Sequence, residues 1–234
     1  MKTFRARTGP FAEQPFFELR EIETICTEAL QATNLYPAEP APIRIDRFIE
    51  KRFGVQPSYE DLPVGILGFT RFGSHGVEQV VVAQALDAEG TLAAERRLRT
   101  TLAHEAGHGL LHAHLFALQQ SPKALFGDGL SPDAPKLLCR DGGVAGVGPE
   151  KKPPYRWWEF QANQAMGALL LPRDLLEKAI SPMMSAQGSL GLQSLPDANR
   201  SRAMRLLSDT FHVNPIVVQI RLEALYPPGG QPHL

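Results

Sequence analysis

TLAHEAGHGLLHAH, residues 101–114, is the segment from which the fold of this chain is predicted. It contains the pattern HExxH at His104, Glu105 and His108. Residues four apart in an α-helix lie about 6 Å apart along the axis and on the same face, so both histidines can reach one cation. Glu105 is rotated about 100° from His104 and can lean over a water molecule held by that cation. The spacing predicts a helix that carries a catalytic zinc site with Glu105 as its base.

The alternative interpretation of this stretch is a polar helix face with solvated histidines. Gly107 and Gly109 argue against it, because a glycine costs about 1 kcal/mol relative to alanine in an exposed helix. Glycines are easier to explain where a helix packs closely against a partner that completes the metal site. The two glycines therefore favour a closely packed helix.

Two further histidines in the stretch compete for the role of third ligand. His112 lies two turns beyond His104, about 12 Å along the axis, which is too far for one shared ion. His114 has the spacing of the longer pattern HExxHxxGxxH. In that pattern a glycine lets the helix end sharply, whereas this chain has Leu111 there. His114 stays an open but disfavoured candidate.

Glu159 is the third candidate, within the predicted helix WWEFQANQAMGALLL (157–171). Zinc sites with two histidines and a glutamate take the carboxylate from a following helix. Asn163 is one turn further on, where its side chain can accept a hydrogen bond from the ring N–H of a ligand histidine. For an isolated glutamate a surface position would be the simpler explanation. Beside an incomplete HExxH site we expect Glu159 to be a ligand.

The segments around these motifs predict an α+β fold with a small sheet. LPVGILGFTRF (62–72) and EQVVVAQAL (78–86) are typical of strands, joined by the turn GSHG (73–76). Gly65 and Gly68 in the first strand indicate a bulge or an edge. The other segments are predicted as helices at 16–35, 43–55, 92–118 and 174–184, a long loop at 121–155 and a linker at 185–197.

Residues 198–225 are typical of two helices joined by a tight turn, with Asn214 as the cap and Pro215 in the first turn of the second helix. DNA recognition requires several polar side chains on the second helix, and this one offers only Gln219 and Arg221. We therefore expect packing or protein docking, weak DNA binding, and little effect of removing Arg221. The residues expected to be buried are Ile216, Val217, Ile220 and part of Leu222.

The composition bounds the classes of function. The chain has 234 residues, of which 43% are hydrophobic and 21% charged, and its net charge is −1. These values predict a folded soluble protein without an overall attraction to nucleic acid or anionic membranes. Cys26 and Cys139 allow at most one disulfide, so the cytoplasm is the expected compartment. No signal peptide is evident, and no stretch approaches the roughly 18 apolar residues of a membrane span.

Together LAHEAGHGLLH (102–112) and WEFQANQAMGALLLP (158–172) resemble the ImmA/IrrE family of bacterial metallopeptidases. The resemblance extends over roughly residues 20–175. It implies a thermolysin-like, gluzincin-type minimal metallopeptidase domain, here residues 16–180, followed by the helical region 198–226. It also implies one zinc ion held by His104, His108 and Glu159, with Glu105 as the base.

The resemblance further implies hydrolysis of a peptide bond in a regulatory protein, often a helix-turn-helix repressor. LPVGILGF (62–69) is predicted to offer a strand edge to which an extended substrate adds. Tyr155, Arg156 and His112 are candidates for stabilising the oxyanion. Cys139 is either an ordinary thiol or a fourth ligand that closes the site. The alternative function is a non-enzymatic regulator, or a DNA- or protein-binding protein, with a structural zinc site.

Overall fold

The computed structural model of this chain is an α+β protein, which confirms the predicted fold class. It describes residues 2–5, 13–73, 75–117, 136–140, 157–187 and 192–227. The helices are α1 (Leu19–Ala32), α2 (Ile45–Phe53), α3 (Gln84–Ala88), α4 (Leu92–Leu111), α5 (Ala113–Ala117), α6 (Trp157–Leu170), α7 (Arg173–Ile180), α8 (Asp197–Phe211) and α9 (Pro215–Leu225). The strands are β1 (Lys2–Arg5), β2 (Glu13–Phe16), β3 (Ser58–Glu60), β4 (Ile66–Gly73), β5 (Gly76–Ala83), β6 (Lys136–Arg140), β7 (Ser185–Gln187) and β8 (Leu192–Ser194). None of the described helices has the length and apolar character needed to cross a bilayer.

The largest sheet in the described residues has four strands in the order β3-β5-β4-β6. β4 and β5 form the predicted antiparallel hairpin, in which Gly73 pairs with Gly76, and β3 runs parallel to β5. The pairing of β4 with β6 shifts register between Ile66 and Gly68, which confirms the predicted irregularity. The hairpin brings Thr70 of β4, which is fully buried, against α4.

Two connections that the sequence predicts to be irregular contain strands. Within the predicted loop 121–155, β6 pairs antiparallel with β4. β4 therefore has a neighbour on each side, and the prediction that residues 62–69 offer a free edge is wrong. The predicted linker 185–197 contains the β7–β8 hairpin. Strands this short depend on partner strands for their stability, so a few residues read in isolation do not reveal them.

α4 is the central helix and packs between the sheet and α6. It begins at Thr91, whose hydroxyl accepts a hydrogen bond from the first turn at 3.1 Å. A Cβ atom on Gly107 would lie 2.9 Å from the carbonyl oxygen of Ala162 in α6. One on Gly109 would lie 2.6 Å from the ring of Phe53 in α2. Both glycines therefore permit the close packing that the sequence predicts, although only Gly107 faces α6.

α8 and α9 form the predicted pair of helices joined by a tight turn. The side-chain oxygen of Asn214 accepts a hydrogen bond from the backbone N–H of Ile216 at 3.1 Å, and Pro215 is the first residue of α9. The pair shares the main hydrophobic core with α1, α4 and α6. The buried residues of α9 are Val217, Val218, Arg221, Leu222 and Leu225.

The predicted buried face of α9 is confirmed for Val217 and Leu222 and wrong for Ile216 and Ile220. Ile216 and Ile220 are only partly buried, whereas Arg221 is 2% exposed. Nη2 of Arg221 lies 2.8 Å from Oε1 of Glu23 in α1, and Nε donates to the carbonyl oxygen of Leu171 at 3.3 Å. Because α9 is apolar around most of its circumference, its sequence does not select one face. Arg221 is a cation inside the core and not a surface side chain able to reach DNA.

Candidate metal centre

Three potential ligand atoms meet where α4 contacts the first turn of α6. His104 and His108 lie one turn apart on α4, and their Nε2 atoms are 3.0 Å apart. Oε2 of Glu159 lies 3.2 Å from Nε2 of His104 and 3.7 Å from Nε2 of His108. Among the described residues, these three side chains form the group that could hold a metal ion.

The distances within this group suit a tetrahedral zinc ion. Zinc–nitrogen bonds of about 2.0–2.1 Å at tetrahedral angles separate neighbouring ligand atoms by about 3.3 Å. The observed separations of 3.0, 3.2 and 3.7 Å lie on both sides of that value. Two histidines and a carboxylate are also the donor set of catalytic zinc sites. His114, the competing third ligand, is exposed and does not belong to this group.

Charge and burial also favour a cation between these side chains. Burial lowers the pKa of His108, and the net shift is downward. For His104 burial also lowers the pKa, but hydrogen bonding to Glu159 and its charge outweigh it, so the net pKa is raised. Burial raises the pKa of Glu159, but the two histidines outweigh it and the net pKa is lowered. An ionised carboxylate beside imidazoles is the arrangement that a divalent cation requires.

Asn163 orients the ring of His104. Its Oδ1 lies 3.0 Å from Nδ1 of His104. Because an amide oxygen only accepts hydrogen bonds, the ring proton lies on Nδ1, and the lone pair of Nε2 is directed at Glu159 and His108. The hydrogen bond that the sequence predicts between Asn163 and a ligand histidine is therefore present, with His104 as the donor.

His112 follows the last residue of α4 as its C-terminal cap. The single helix predicted over 92–118 is therefore interrupted at this residue. Its ring is fully buried, with Nδ1 3.0 Å from Nδ1 of His108. The edge of the ring packs against Trp157, with 5.5 Å between ring centroids. A residue four positions after His108 lies one turn further along the same helix face. That face places His112 at the nitrogen of His108 that points away from Glu159, which does not support its predicted contact with an oxyanion.

Glu105 is fully buried beside the ligand group. The hydroxyl of Thr70 donates to Oε2 of Glu105 at 2.6 Å, and Oε1 has no hydrogen-bond partner among the described residues. Burial raises the pKa of Glu105 to about 8, against the opposing effects of His104 and Thr70. The sequence analysis missed Thr70. A lone hydroxyl in the mostly apolar stretch ILGFTRF was the available signal.

The structure describes only some of the remaining predicted site residues. Tyr155 and Arg156 lie outside the described residues. The backbone of Cys139 pairs with Gly68 in the sheet, and its thiol lies outside the part of the chain that the structure describes. Cys26 is a buried free thiol. Within the described residues the group thus has three protein ligands, which leaves one position of a tetrahedral ion for a further ligand.

No protein-family model matches this chain, and a search of curated proteins finds no similar sequence. The resemblance to ImmA/IrrE metallopeptidases therefore depends on the sequence motifs alone.

Substitution of Glu159 should remove the metal, whereas substitution of His114 should not. We expect Glu159→Ala to lose most of its zinc because the carboxylate of the candidate ligand group is gone. His114→Ala should retain about one ion per chain, and it is a matched control because it removes a potential ligand only six residues after His108. Elemental analysis of proteins purified in parallel measures both. Zinc retained by Glu159→Ala and lost by His114→Ala would assign the third ligand to His114.

Proposed function

We propose that this chain is a zinc-dependent metalloendopeptidase of the ImmA/IrrE type that cleaves a regulatory protein in the cytoplasm. A helix-turn-helix repressor is the proposed substrate, and a thermolysin-like arrangement is the proposed fold of residues 16–180. The observation that carries this proposal is the buried Oε1 of Glu105, which has no hydrogen-bond partner among the described residues and lies beside the ligand group. A structural metal site needs no base, whereas hydrolysis does.

Thr70 and Glu105 have different roles in the proposed hydrolysis of a peptide bond. A bound zinc ion would supply a Lewis acid that polarises a carbonyl group and lowers the pKa of a water ligand to about 7. Thr70 holds Oε2 of Glu105 by its hydrogen bond, so Oε1 keeps a fixed direction. Glu105 then takes a proton from the attacking water at Oε1 and returns it to the nitrogen of the leaving amine.

The sheet limits how an extended substrate can approach. Substrates that add a strand to a sheet need an edge whose backbone groups are unpaired. β6 already pairs with β4, the strand that carries Thr70. A substrate segment that adds to the sheet on the β4 side must therefore pair with β6 or displace it. Either route favours a flexible, extended segment of a protein over a folded surface.

The alternative function is a non-enzymatic regulator with a structural zinc site. Structural sites use four protein ligands, and the described residues supply three. A DNA-reading role gains no support from α9, since its only arginine is buried in the core. We propose that the chain alone binds duplex DNA only at the non-specific level, with dissociation constants of roughly 10⁻⁴–10⁻⁶ M.

Incubation with a repressor tests the function directly. The zinc-loaded protein is mixed with a purified helix-turn-helix repressor from the same genome, and the products are analysed by mass spectrometry. We expect a discrete cut that disappears when a chelator removes the metal and returns when zinc is restored. A repressor that is bound but stays intact with zinc-loaded protein would instead favour the non-enzymatic alternative.

A further inference from the structure

We propose that His112 and Gln161 act as positioning residues that fix the tautomer and orientation of His108 for metal binding. The rings of His108 and His112 meet at their Nδ1 atoms behind the ligand group, and Gln161 of α6 supplies a buried amide oxygen that has no partner among the described residues. The inference rests on the metal-binding part of the proposed function and does not require peptidase activity. It assigns His112 the role of orienting the ring of His108 from the side that faces away from Glu159.

The first step is the contact between the two histidine rings. Nδ1 of His108 and Nδ1 of His112 are 3.0 Å apart, and both side chains are completely buried. A hydrogen bond between two nitrogen atoms needs a proton on one and a lone pair on the other. Nε2 of His108 faces His104 and Glu159, so it needs its lone pair for a metal. Nδ1 of His108 therefore carries the proton, and Nδ1 of His112 accepts it.

The second step fixes the proton of His112. With Nδ1 as acceptor, a neutral His112 carries its proton on Nε2, which is buried. Gln161 of α6 is the group available for that proton. Its amide nitrogen donates to the carbonyl oxygen of Pro15 at 3.1 Å, so the amide oxygen is left as an acceptor. Nε2 of His112 and Oε1 of Gln161 are both buried, and neither has a hydrogen-bond partner in the described part of the chain, so the inference pairs these two atoms.

Burial agrees with this arrangement of protons. Both rings are completely enclosed, and an uncharged pair of imidazoles avoids the cost of placing a charge away from water. Metal-bound histidines usually donate their second ring N–H to a carboxylate, a carbonyl or water. Here a neutral imidazole takes that position, so His108 is oriented without adding negative charge to the centre.

Paired substitutions of His112 separate hydrogen bonding from packing. Asparagine presents Oδ1 where histidine has Nδ1, so His112→Asn keeps an acceptor for His108, whereas His112→Leu removes it. We expect His112→Leu to weaken zinc binding by about 10–100-fold and His112→Asn to weaken it by only a few-fold. His114→Leu, at an exposed position, is the matched control and should bind zinc like the wild type. Competition with a chromophoric chelator measures the dissociation constants.

A second readout applies even if His112→Leu does not fold. Long-range ¹H–¹⁵N NMR correlations of the zinc-loaded wild-type protein report which ring nitrogen of each histidine carries the proton. We expect the proton on Nδ1 of His108 and on Nε2 of His112.

Each of three outcomes would overturn the inference. The first is the opposite tautomer at His112. The others are equal losses of zinc affinity in the leucine and asparagine variants, and wild-type zinc affinity in the leucine variant. Failure of the wild-type protein to bind zinc would overturn the inference and the proposed function together. Absence of cleavage by a protein with the expected affinities would contradict only the peptidase activity.

Discussion

Glu105→Gln should fold, bind zinc and lose cleavage of its substrate by a factor of about 10²–10⁴. The amide has nearly the size of the carboxylate, and its oxygen can still accept the hydrogen bond from Thr70. It cannot take a proton from water at the position of Oε1. Burial raises the pKa of Glu105 to about 8, which means that the ionised carboxylate carries a burial cost that a neutral amide avoids. The stability of the variant should therefore equal or exceed that of the wild type.

The matched control for this variant is Glu95→Gln. Glu95 lies on the same helix, in its exposed first turn, so the same chemical change occurs away from the ligand group. Cleavage rates are compared at equal zinc content, and thermal unfolding of both variants verifies the fold. A zinc-loaded Glu105→Gln protein that cleaves at the wild-type rate would contradict the assignment of Glu105 as the base.

Arg221→Met should lower the free energy of unfolding by about 3 kcal/mol. Removing one member of a buried ion pair leaves the other charge in the core without its partner, and Glu23 is only 13% exposed. Arg173, whose Nη1 lies 3.8 Å from Oε2 of Glu23, partly compensates. The expected loss is therefore at the lower end of the usual range. Urea unfolding of the wild type and the variant measures it.

Two companion variants test the reason for this loss. Adding Glu23→Gln to Arg221→Met removes the unpaired charge, so the double variant should be more stable than the single one. Arg205→Met, at an exposed position of α8, should change stability by less than about 0.5 kcal/mol. If Arg221→Met were as stable as Arg205→Met, the ion pair with Glu23 would contribute nothing to holding α9 in the core.

The metal centre could be predicted to the extent that it depends on spacing within a helix. His104 and His108 share one face of α4 because the helix repeats every 3.6 residues. The same repeat places Asn163 one turn after Glu159, where its amide reaches His104. The helices at 16–35 and 43–55 were predictable from apolar periodicity and appear as α1 and α2.

Contacts between distant segments were not predictable in this way. Thr70 reaches Glu105 across 35 positions of the chain. β6 lies within a stretch rich in glycine and proline, and it becomes a strand because β4 offers unpaired backbone groups beside it. Neither contact leaves a periodic pattern in the sequence.

Local sequence patterns were sufficient to predict the α+β class, the helix that carries HExxH and the types of candidate ligand side chain, because helical periodicity and side-chain chemistry act over a few neighbouring turns. The packing of α4 against α6 brings Glu159, and not His114, to His104 and His108. It also places the ring of His112 against His108, and the packing of α9 buries Arg221. These outcomes depend on how segments far apart in the chain pack together. A helix as apolar as α9 has no unique buried face until its neighbours are in place.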